Sequence, residues 1–140
     1  MRRADPAPIY VVDDDNAVRF VLAQALREAG LTVLAFASAD AALQALESES
    51  EPALVFTDVR MPGLDGLAFL DALKARLPTL PVVVMSAYTD IASTAGAFRG
   101  GAHEFLSKPF DLDEAVALVR RALPQRDARG LRGAEPLADA

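Results

Sequence analysis

Five polar side chains follow short apolar runs of the sequence and could share one site: Asp13, Asp14, Asp58, Ser86 and Lys108. Three carboxylates brought close together repel one another, so their ionised forms need a compensating cation. Oxygen ligands without sulfur or imidazole favour a hard ion, and a site with few protein ligands suits Mg²⁺ better than Ca²⁺. A cation and a lysine facing a carboxylate can stabilise a phosphoryl group in transfer, and a carboxylate can form an acyl phosphate as the nucleophile.

Each of these positions alone has a simpler structural interpretation. Asp15, the next acidic residue, is expected to be a helix N-cap or a solvated charge, and Asp58 could equally cap a turn. A serine after a strand usually bonds to its own backbone, and a lysine is often an ordinary surface charge. Only a shared location in the fold would distinguish a functional site from these alternatives. Whether the residues share a location depends on the strands and helices that carry them.

Short runs rich in Val and Leu alternate along the chain with longer stretches whose apolar residues recur every three or four positions. The runs predict five strands, at residues 9–12, 32–36, 53–57, 81–85 and 104–106. Several are apolar on consecutive residues, as are strands of a parallel sheet covered on both faces. We therefore expect an α/β domain with a five-stranded parallel sheet, in which functional residues gather at the carboxyl ends of the strands.

The helical pattern predicts one helix after each strand. The first covers about residues 16–29 and stops at Gly30. Ser38 and Asp111 are the expected N-caps of the second and fifth helices.

The fourth helix, at about residues 90–99, is expected to be the least stable. It carries three residues that form helices poorly, Ser93, Thr94 and Gly96. A glycine inside a helix alone costs about 1 kcal/mol relative to alanine. The alternative is a helix that is stabilised by the packing of three apolar side chains, Ile91, Ala95 and Phe98.

Four stretches together resemble the receiver domain of two-component response regulators: VVDD at 11–14, TDVRMPGLDG at 57–66, MSA at 85–87 and LSKPF at 106–110. The similarity runs from about Ile9 to Leu123, in the order and at the spacing of that family. Within the family, the stretches 86–88 and 108–119 are most similar to the nitrogen regulatory protein C group. The resemblance implies a doubly wound, flavodoxin-like (CheY-like) parallel sheet with strand order 2-1-3-4-5 and five helices.

The resemblance also implies roles for the acidic residues. Asp58 matches the phosphoryl acceptor, which takes its phosphoryl group from a phosphohistidine on a sensor histidine kinase in a two-component phosphorelay. Asp14 matches a direct Mg²⁺ ligand and Asp13 a carboxylate that holds the metal mostly through water. The main-chain carbonyl of Arg60 matches the third protein ligand of the metal.

Lys108, Ser86 and Phe105 match the family's other functional positions. Lys108 would pair with the phosphoryl oxygens, and the Lys108–Pro109 peptide bond would be cis. Ser86, where Thr is frequent in the family, keeps the hydroxyl that moves to meet the phosphoryl group. Phe105 stands where the switch residue is often Tyr, so any inward rotation would have to be stabilised by packing alone.

A receiver of this kind signals by shifting a two-state equilibrium, and the weak fourth helix predicts that residues 87–100 move most on phosphorylation. Receivers usually pair through the fourth and fifth helices and the fifth strand, so a homodimer is expected on phosphorylation. Candidate contacts are Ala95, Phe98 and Phe105. In the nitrogen regulatory group the output domains would be an ATPase acting on σ54 polymerase and a DNA-binding helix pair.

Three alternatives stay open. A Mg²⁺-dependent phosphatase of the haloacid dehalogenase class wants an Asp-x-Asp pair, whereas Asp58 is followed by Val59 and Arg60. A flavodoxin-like cofactor binder needs a phosphate-cradling loop after the first strand, where the three acidic residues 13–15 would repel a phosphate. The third alternative is a receiver without an output domain. We expect a phosphoacceptor that catalyses only its own phosphorylation and dephosphorylation.

The composition excludes several other classes. The 140 residues carry 20 acidic and 14 basic side chains, a net charge of −6, so this domain is not expected to bind nucleic acid. The absence of cysteine and the single histidine exclude disulfide scaffolds, thiolate zinc sites and histidine-rich metal sites.

Neither a membrane span nor a secretory signal is recognisable in the sequence, so a cytoplasmic location is expected. Residues 1–8 are interpreted as an N-terminal extension, 9–123 as the receiver and 124–140 as a linker or tail of a longer regulator.

Overall fold

The computed structural model describes residues 7–48, 51–87 and 91–123. The described strands and helices alternate along the chain: β1 (Ile9–Val12), α1 (Asn16–Glu28), β2 (Val33–Phe36), α2 (Ala39–Ser48), β3 (Leu54–Asp58), α3 (Gly66–Arg76), β4 (Val82–Ala87), α4 (Ile91–Arg99), β5 (Glu104–Lys108) and α5 (Leu112–Ala122). All neighbouring strands pair in parallel, in the order β2-β1-β3-β4-β5. The predicted doubly wound α/β fold is therefore confirmed.

Some predictions concern residues outside these described ranges. Residues 1–6 of the predicted extension and the whole predicted tail, residues 124–140, lie outside the described residues. So do residues 88–90, near the start of the segment expected to move, and the side chain of Ile91. Within the described part of the chain, no helix is long and apolar enough to cross a membrane.

The sheet is buried on both faces. Every residue of β1 and of β3 is buried, as the consecutive apolar residues of these strands predict. Alternate side chains face opposite layers, so Val11 and Phe56 pack with α1 and α5, whereas Tyr10 and Val55 pack with α2 and α3. This two-sided core fixes the strands whose carboxyl ends carry the polar residues.

Three strands reach further toward their carboxyl ends than the apolar runs indicate. β3 ends on Asp58, β4 includes Ser86, and β5 continues through Ser107 to Lys108. In the register of the last pair, Ser107 lies opposite Ser86 and Lys108 opposite Ala87. The prediction for β5 stopped too early because polar residues end its apolar run, although pairing with β4 continues.

The expected caps are confirmed. The Asp15 carboxylate accepts hydrogen bonds from two main-chain N–H groups at the start of α1. Ser38 Oγ accepts from the N–H of Ala41 at 3.1 Å, and Asp111 caps α5 in the same way. Gly30, after the end of α1, has a φ of 92°, a conformation that favours glycine.

The packing of α4 does not support the alternative of a helix stabilised by its apolar side chains. Ala95 is exposed and Phe98 is 51% exposed, so neither supplies that packing. Among residues 95–99 of this helix, Ala97 is the buried one, in the layer that contains α3. A Cβ at Gly96 would lie 3.2 Å from Cδ1 of Leu67 on α3. The glycine therefore lets α3 approach the α4 backbone closely, and this orientation leaves Ala95 and Phe98 on the outer side.

Candidate functional site

The acidic residues meet where β1 and β3 end. Asp13 follows β1 directly, and Asp58 is the last residue of β3, the strand paired with β1. Asp13, Asp14 and Asp58 each offer a carboxylate oxygen, and these oxygens all lie within 4.8 Å of one another. Asp13 is fully buried and Asp58 is 8% exposed, whereas Asp14 is open to solvent. The structure thus brings together the three predicted carboxylates in an acidic pocket.

Lys108 reaches this pocket from the end of β5. Its Nζ lies 2.9 Å from Oδ2 of Asp13 and 3.1 Å from Oδ1 of Asp58. The Lys108–Pro109 peptide bond is cis, as predicted. When all four groups are ionised, three carboxylates and one ammonium leave two negative charges uncompensated.

Burial and the neighbouring charges shift the pKa values of both Asp58 and Lys108. Burial raises the pKa of Asp58 above its ordinary value of 3.8, and the negative charge of Asp13 raises it further, while the ammonium of Lys108 opposes both effects. Burial alone would lower the pKa of Lys108, but its hydrogen bond to Asp13 and the charges of Asp13 and Asp58 outweigh burial and raise it. The protonated form of Lys108 is therefore favoured. The ionised form of Asp58, in contrast, is disfavoured by burial and by the carboxylates around it.

The main chain around Asp13 is held from several directions. Its N–H donates to the carbonyl of Phe36 at 3.2 Å, and its Oδ1 accepts from the N–H of Asp15 at 2.9 Å. Its carbonyl accepts a 2.7 Å hydrogen bond from Nη1 of Arg19 on α1. The sequence analysis did not identify Arg19. A basic residue near the start of the helix that follows Asp13 and Asp14 could have indicated a contact with that acidic segment.

Gly66, the first residue of α3, lies against the backbone of the acceptor strand. Its N–H donates to the carbonyl of Val59 at 2.7 Å. A Cβ at this position would lie 2.2 Å from the main-chain oxygen of Asp58 and 2.7 Å from Cα of Val59. Such distances exclude any side chain without a backbone shift, so Gly66 is a requirement of the site that the sequence analysis did not identify.

Of the remaining predicted residues, Ser86 and Arg60 lie near the carboxyl ends of their strands, whereas Phe105 is the second residue of β5. Ser86 is buried in β4, one residue beyond Met85, which is the register partner of Asp58. Phe105 on β5 is partly buried and packs against the layer that contains α3. Arg60 is exposed, two residues after Asp58. The functions expected of these three residues stay predictions.

The donor set fits a hard divalent cation. The pocket offers carboxylate oxygens that converge within 4.8 Å, and its negative charge exceeds what Lys108 can neutralise. Oxygen-only sites of this charge suit Mg²⁺. The exposed position of Asp14 leaves the pocket open to solvent, which a cation that keeps several waters requires.

Comparison with known proteins gives a consistent result. The family model described as the response regulator receiver domain matches residues 9–120. The DNA-binding transcriptional regulator NtrC of Escherichia coli K12 is 49% identical over 115 residues, which cover 82% of this chain and 24% of the regulator. The chain thus spans about a quarter of the length of the curated NtrC relatives that it matches.

Solved structures show the same similarity. The crystal structure of the receiver domain of NtrX from Brucella abortus has 40% sequence identity and a TM-score of 0.78, and the match covers 83% of this chain and 98% of that domain. The solution structure of the apo receiver domain of nitrogen regulatory protein C has 46% identity and a TM-score of 0.77, with 86% and 97% covered.

Gly66→Ala is expected to lower the free energy of unfolding by about 1–3 kcal/mol, because the added methyl group must displace the backbone of Asp58 or Val59. Urea denaturation measures the change. Gly96→Ala is the matched control, since its methyl group would meet the flexible end of Leu67 at 3.2 Å and alanine favours the helix. A Gly66→Ala variant as stable as the wild type would contradict the close approach.

Asp58→Asn is expected to raise the thermal unfolding temperature at neutral pH in the presence of a chelator. Because folding raises the pKa of Asp58 above 3.8, its ionisation destabilises the fold as the pH rises through the folded value, and the penalty is largest above that value. Asparagine removes this penalty, while Lys108 keeps Asp13 as a partner at 2.9 Å.

The difference in unfolding temperature should shrink as the pH falls toward 3.8, where the wild-type carboxyl is protonated. Asp71→Asn, which neutralises an exposed carboxylate on α3 outside the acidic pocket, should show no comparable gain. A lower unfolding temperature for Asp58→Asn at neutral pH would contradict the conclusion that burial and the charge of Asp13 together disfavour the ionised carboxylate.

Proposed function

This chain belongs to the response regulator receiver domain family, and from that membership and the geometry of the acidic pocket we propose that Asp58 accepts a phosphoryl group from the phosphohistidine of a sensor histidine kinase. The observation that carries the proposal is the position of Lys108, whose Nζ lies within 3.1 Å of a carboxylate oxygen on both Asp13 and Asp58. A nucleophile, a fixed cation and a cluster of metal-binding oxygens therefore share one pocket.

In the proposed transfer, a carboxylate oxygen of Asp58 attacks the phosphorus atom. A P–O bond forms, and the P–N bond of the phosphohistidine breaks with its electron pair returning to the imidazole nitrogen. Lys108 donates hydrogen bonds to the phosphoryl oxygens as they approach Asp58, and its protonated state is favoured by the carboxylates beside it. The buried position of Asp13 keeps this ammonium directed into the pocket.

We infer that Asp13, Asp14, Asp58 and the main-chain carbonyl of Arg60 hold Mg²⁺. When bound, the cation supplies positive charge that neutralises the phosphoryl oxygens. Support comes from the convergence of the three carboxylates and from the charge that Lys108 leaves uncompensated. The domain would catalyse only its own phosphorylation and dephosphorylation, since it contributes the acceptor itself.

The wider proposals concern the complete regulator. We propose that the domain division is an extension at residues 1–8, a receiver at 9–123 and a linker or tail at 124–140, the last leading to an output domain. The similarity to NtrC regulators, whose length this chain covers by about a quarter, supports an output that activates σ54-dependent transcription in nitrogen regulation. A receiver without an output domain is the alternative. The cytoplasmic location stays a prediction.

We propose that phosphorylation switches the face formed by residues 87–110 and promotes a homodimer. Ser86 would meet the phosphoryl group from β4, and Phe105 would change its packing on β5. The glycine at position 96, which destabilises a helix, and the exposure of Ala95 and Phe98 support a weakly held α4.

Acetyl phosphate with Mg²⁺ is expected to label the wild type and not Asp58→Asn, because the amide cannot form an acyl phosphate. Intact-protein mass spectrometry measures the added phosphoryl group. Asp71→Asn, which leaves the pocket intact, should be labelled like the wild type. Equal labelling of the wild type and Asp58→Asn would overturn the assignment of the acceptor.

Beryllofluoride, a mimic of the acyl phosphate, is expected to change amide hydrogen exchange most in residues 87–100. The segment follows Ser86 directly and is held partly through the glycine contact of α4. Exchange measured by mass spectrometry, with Asp58→Asn as the control that should not respond, tests the proposal. Unchanged exchange across this segment in the wild type would refute it.

A further inference from the structure

We propose that Arg19 is a positioning residue for the metal-binding carboxylates. By holding the main-chain carbonyl of Asp13, its guanidinium fixes the direction in which Asp14 leaves the backbone. The inference rests on the proposed function, because it concerns the same Mg²⁺ site. It adds a residue from α1 to a site that is otherwise built from the strand ends.

The Arg19 side chain is bound at two nitrogen atoms. Nη1 donates to the Asp13 carbonyl at 2.7 Å, a short distance for an N–H···O hydrogen bond and one that the guanidinium charge strengthens. Nη2 donates to Oδ1 of Asn16 on the same helix. Because the guanidinium is a rigid planar fork, a hydrogen bond at one nitrogen orients the other.

The Asp13 carbonyl matters because it belongs to the peptide plane that carries the N–H of Asp14. The Asp13 side chain has its own partners, since Lys108 binds Oδ2 and the N–H of Asp15 binds Oδ1. Among residues 7–48, 51–87 and 91–123, no hydrogen bond to the exposed Asp14 carboxylate is present. The direction of the Asp14 side chain therefore depends on the backbone to which it is attached. Arg19 holds the peptide that joins Asp13 to Asp14 through the Asp13 carbonyl.

Two effects of Arg19 on a bound cation have opposite signs. Its positive charge beside the acidic pocket repels a divalent cation and weakens binding. Its hold on the Asp13–Asp14 peptide arranges the ligands in advance and strengthens binding. Removing the guanidinium thus tightens Mg²⁺ binding if the charge dominates, and weakens it if positioning dominates. The sign of the change identifies the role.

Arg27 provides a matched control on the same helix. Its Nη2 donates to the carbonyl of Val33 at 3.0 Å, the same kind of hydrogen bond that Arg19 makes. Val33 is the first residue of β2, so this bond lies at the amino ends of the parallel strands, opposite the acidic pocket. Arg27→Met removes the same charge and the same type of bond without touching the site.

Calorimetric titration with Mg²⁺ tests the proposal. Arg19→Met is expected to weaken binding about tenfold, the low end of the effect of groups that orient metal ligands. Arg27→Met should stay within about twofold of the wild type, the small change expected of a site without shared contacts. Arg19→Lys, which keeps the charge and can make one hydrogen bond, should fall between Arg19→Met and the wild type. Unchanged or tighter binding by Arg19→Met would overturn the proposal.

Labelling by acetyl phosphate separates positioning from chemistry. In Arg19→Met the Mg²⁺ concentration for half-maximal labelling should rise about tenfold, in step with the loss of affinity, while the rate at saturating Mg²⁺ stays at the wild-type value. A rate that saturating Mg²⁺ does not restore would contradict a positioning role. A wild type that binds no Mg²⁺ would overturn the proposed metal site itself, and this role of Arg19 with it.

Discussion

The structure depends on holding three carboxylates within 4.8 Å of one another at the end of a buried sheet. Burial and the negative charge of Asp13 disfavour the ionised form of Asp58 and raise its pKa, and Lys108 offsets part of this effect through contacts with Asp13 and Asp58. The fold tolerates the remainder because β1 and β3 are buried on both faces and fix the two strand ends. A cation can therefore gain binding free energy by relieving a repulsion that the hydrophobic core already sustains.

The pocket is held in place mainly through the backbone. Arg19 binds the Asp13 carbonyl, the N–H of Asp15 binds the Asp13 carboxylate, and Gly66 lies against the peptide that follows Asp58. These contacts fix the backbone positions from which the acidic side chains extend, but they do not neutralise the charge of the carboxylates. Carboxylates that were paired with several cations would be more stable but would offer less negative charge to a metal ion. The arrangement thus combines rigid placement with incomplete charge compensation.

The fold and the central site residues could be predicted because apolar runs locate the buried strands, and parallel strands bring their carboxyl ends together. Asp13, Asp58 and Lys108 stand at such ends, so their proximity follows from the strand pattern. Arg19 and Gly66 could not be found in this way, since they act through backbone contacts that depend on how α1 and α3 approach the sheet. The same limitation applies to α4, where the close approach of Leu67 to Gly96 goes with an orientation that leaves Ala95 and Phe98 on the outer side, and the sequence left two alternatives open.

Lys108 also connects the pocket to the part of the sheet that would carry a signal. It is the last residue of β5, and Phe105 on the same strand packs toward the layer formed by α3 and α4. Phosphorylation of Asp58 would exchange one acceptor of this lysine, a carboxylate oxygen, for phosphoryl oxygens, while Asp13 remains its other partner at 2.9 Å. Since the main chain and the carboxylate of Asp13 are held by Arg19 and Asp15, such a change would act on β5 rather than on β1. In the proposed function, this difference between the two partners of Lys108 would direct the response toward β5 and the adjoining α4.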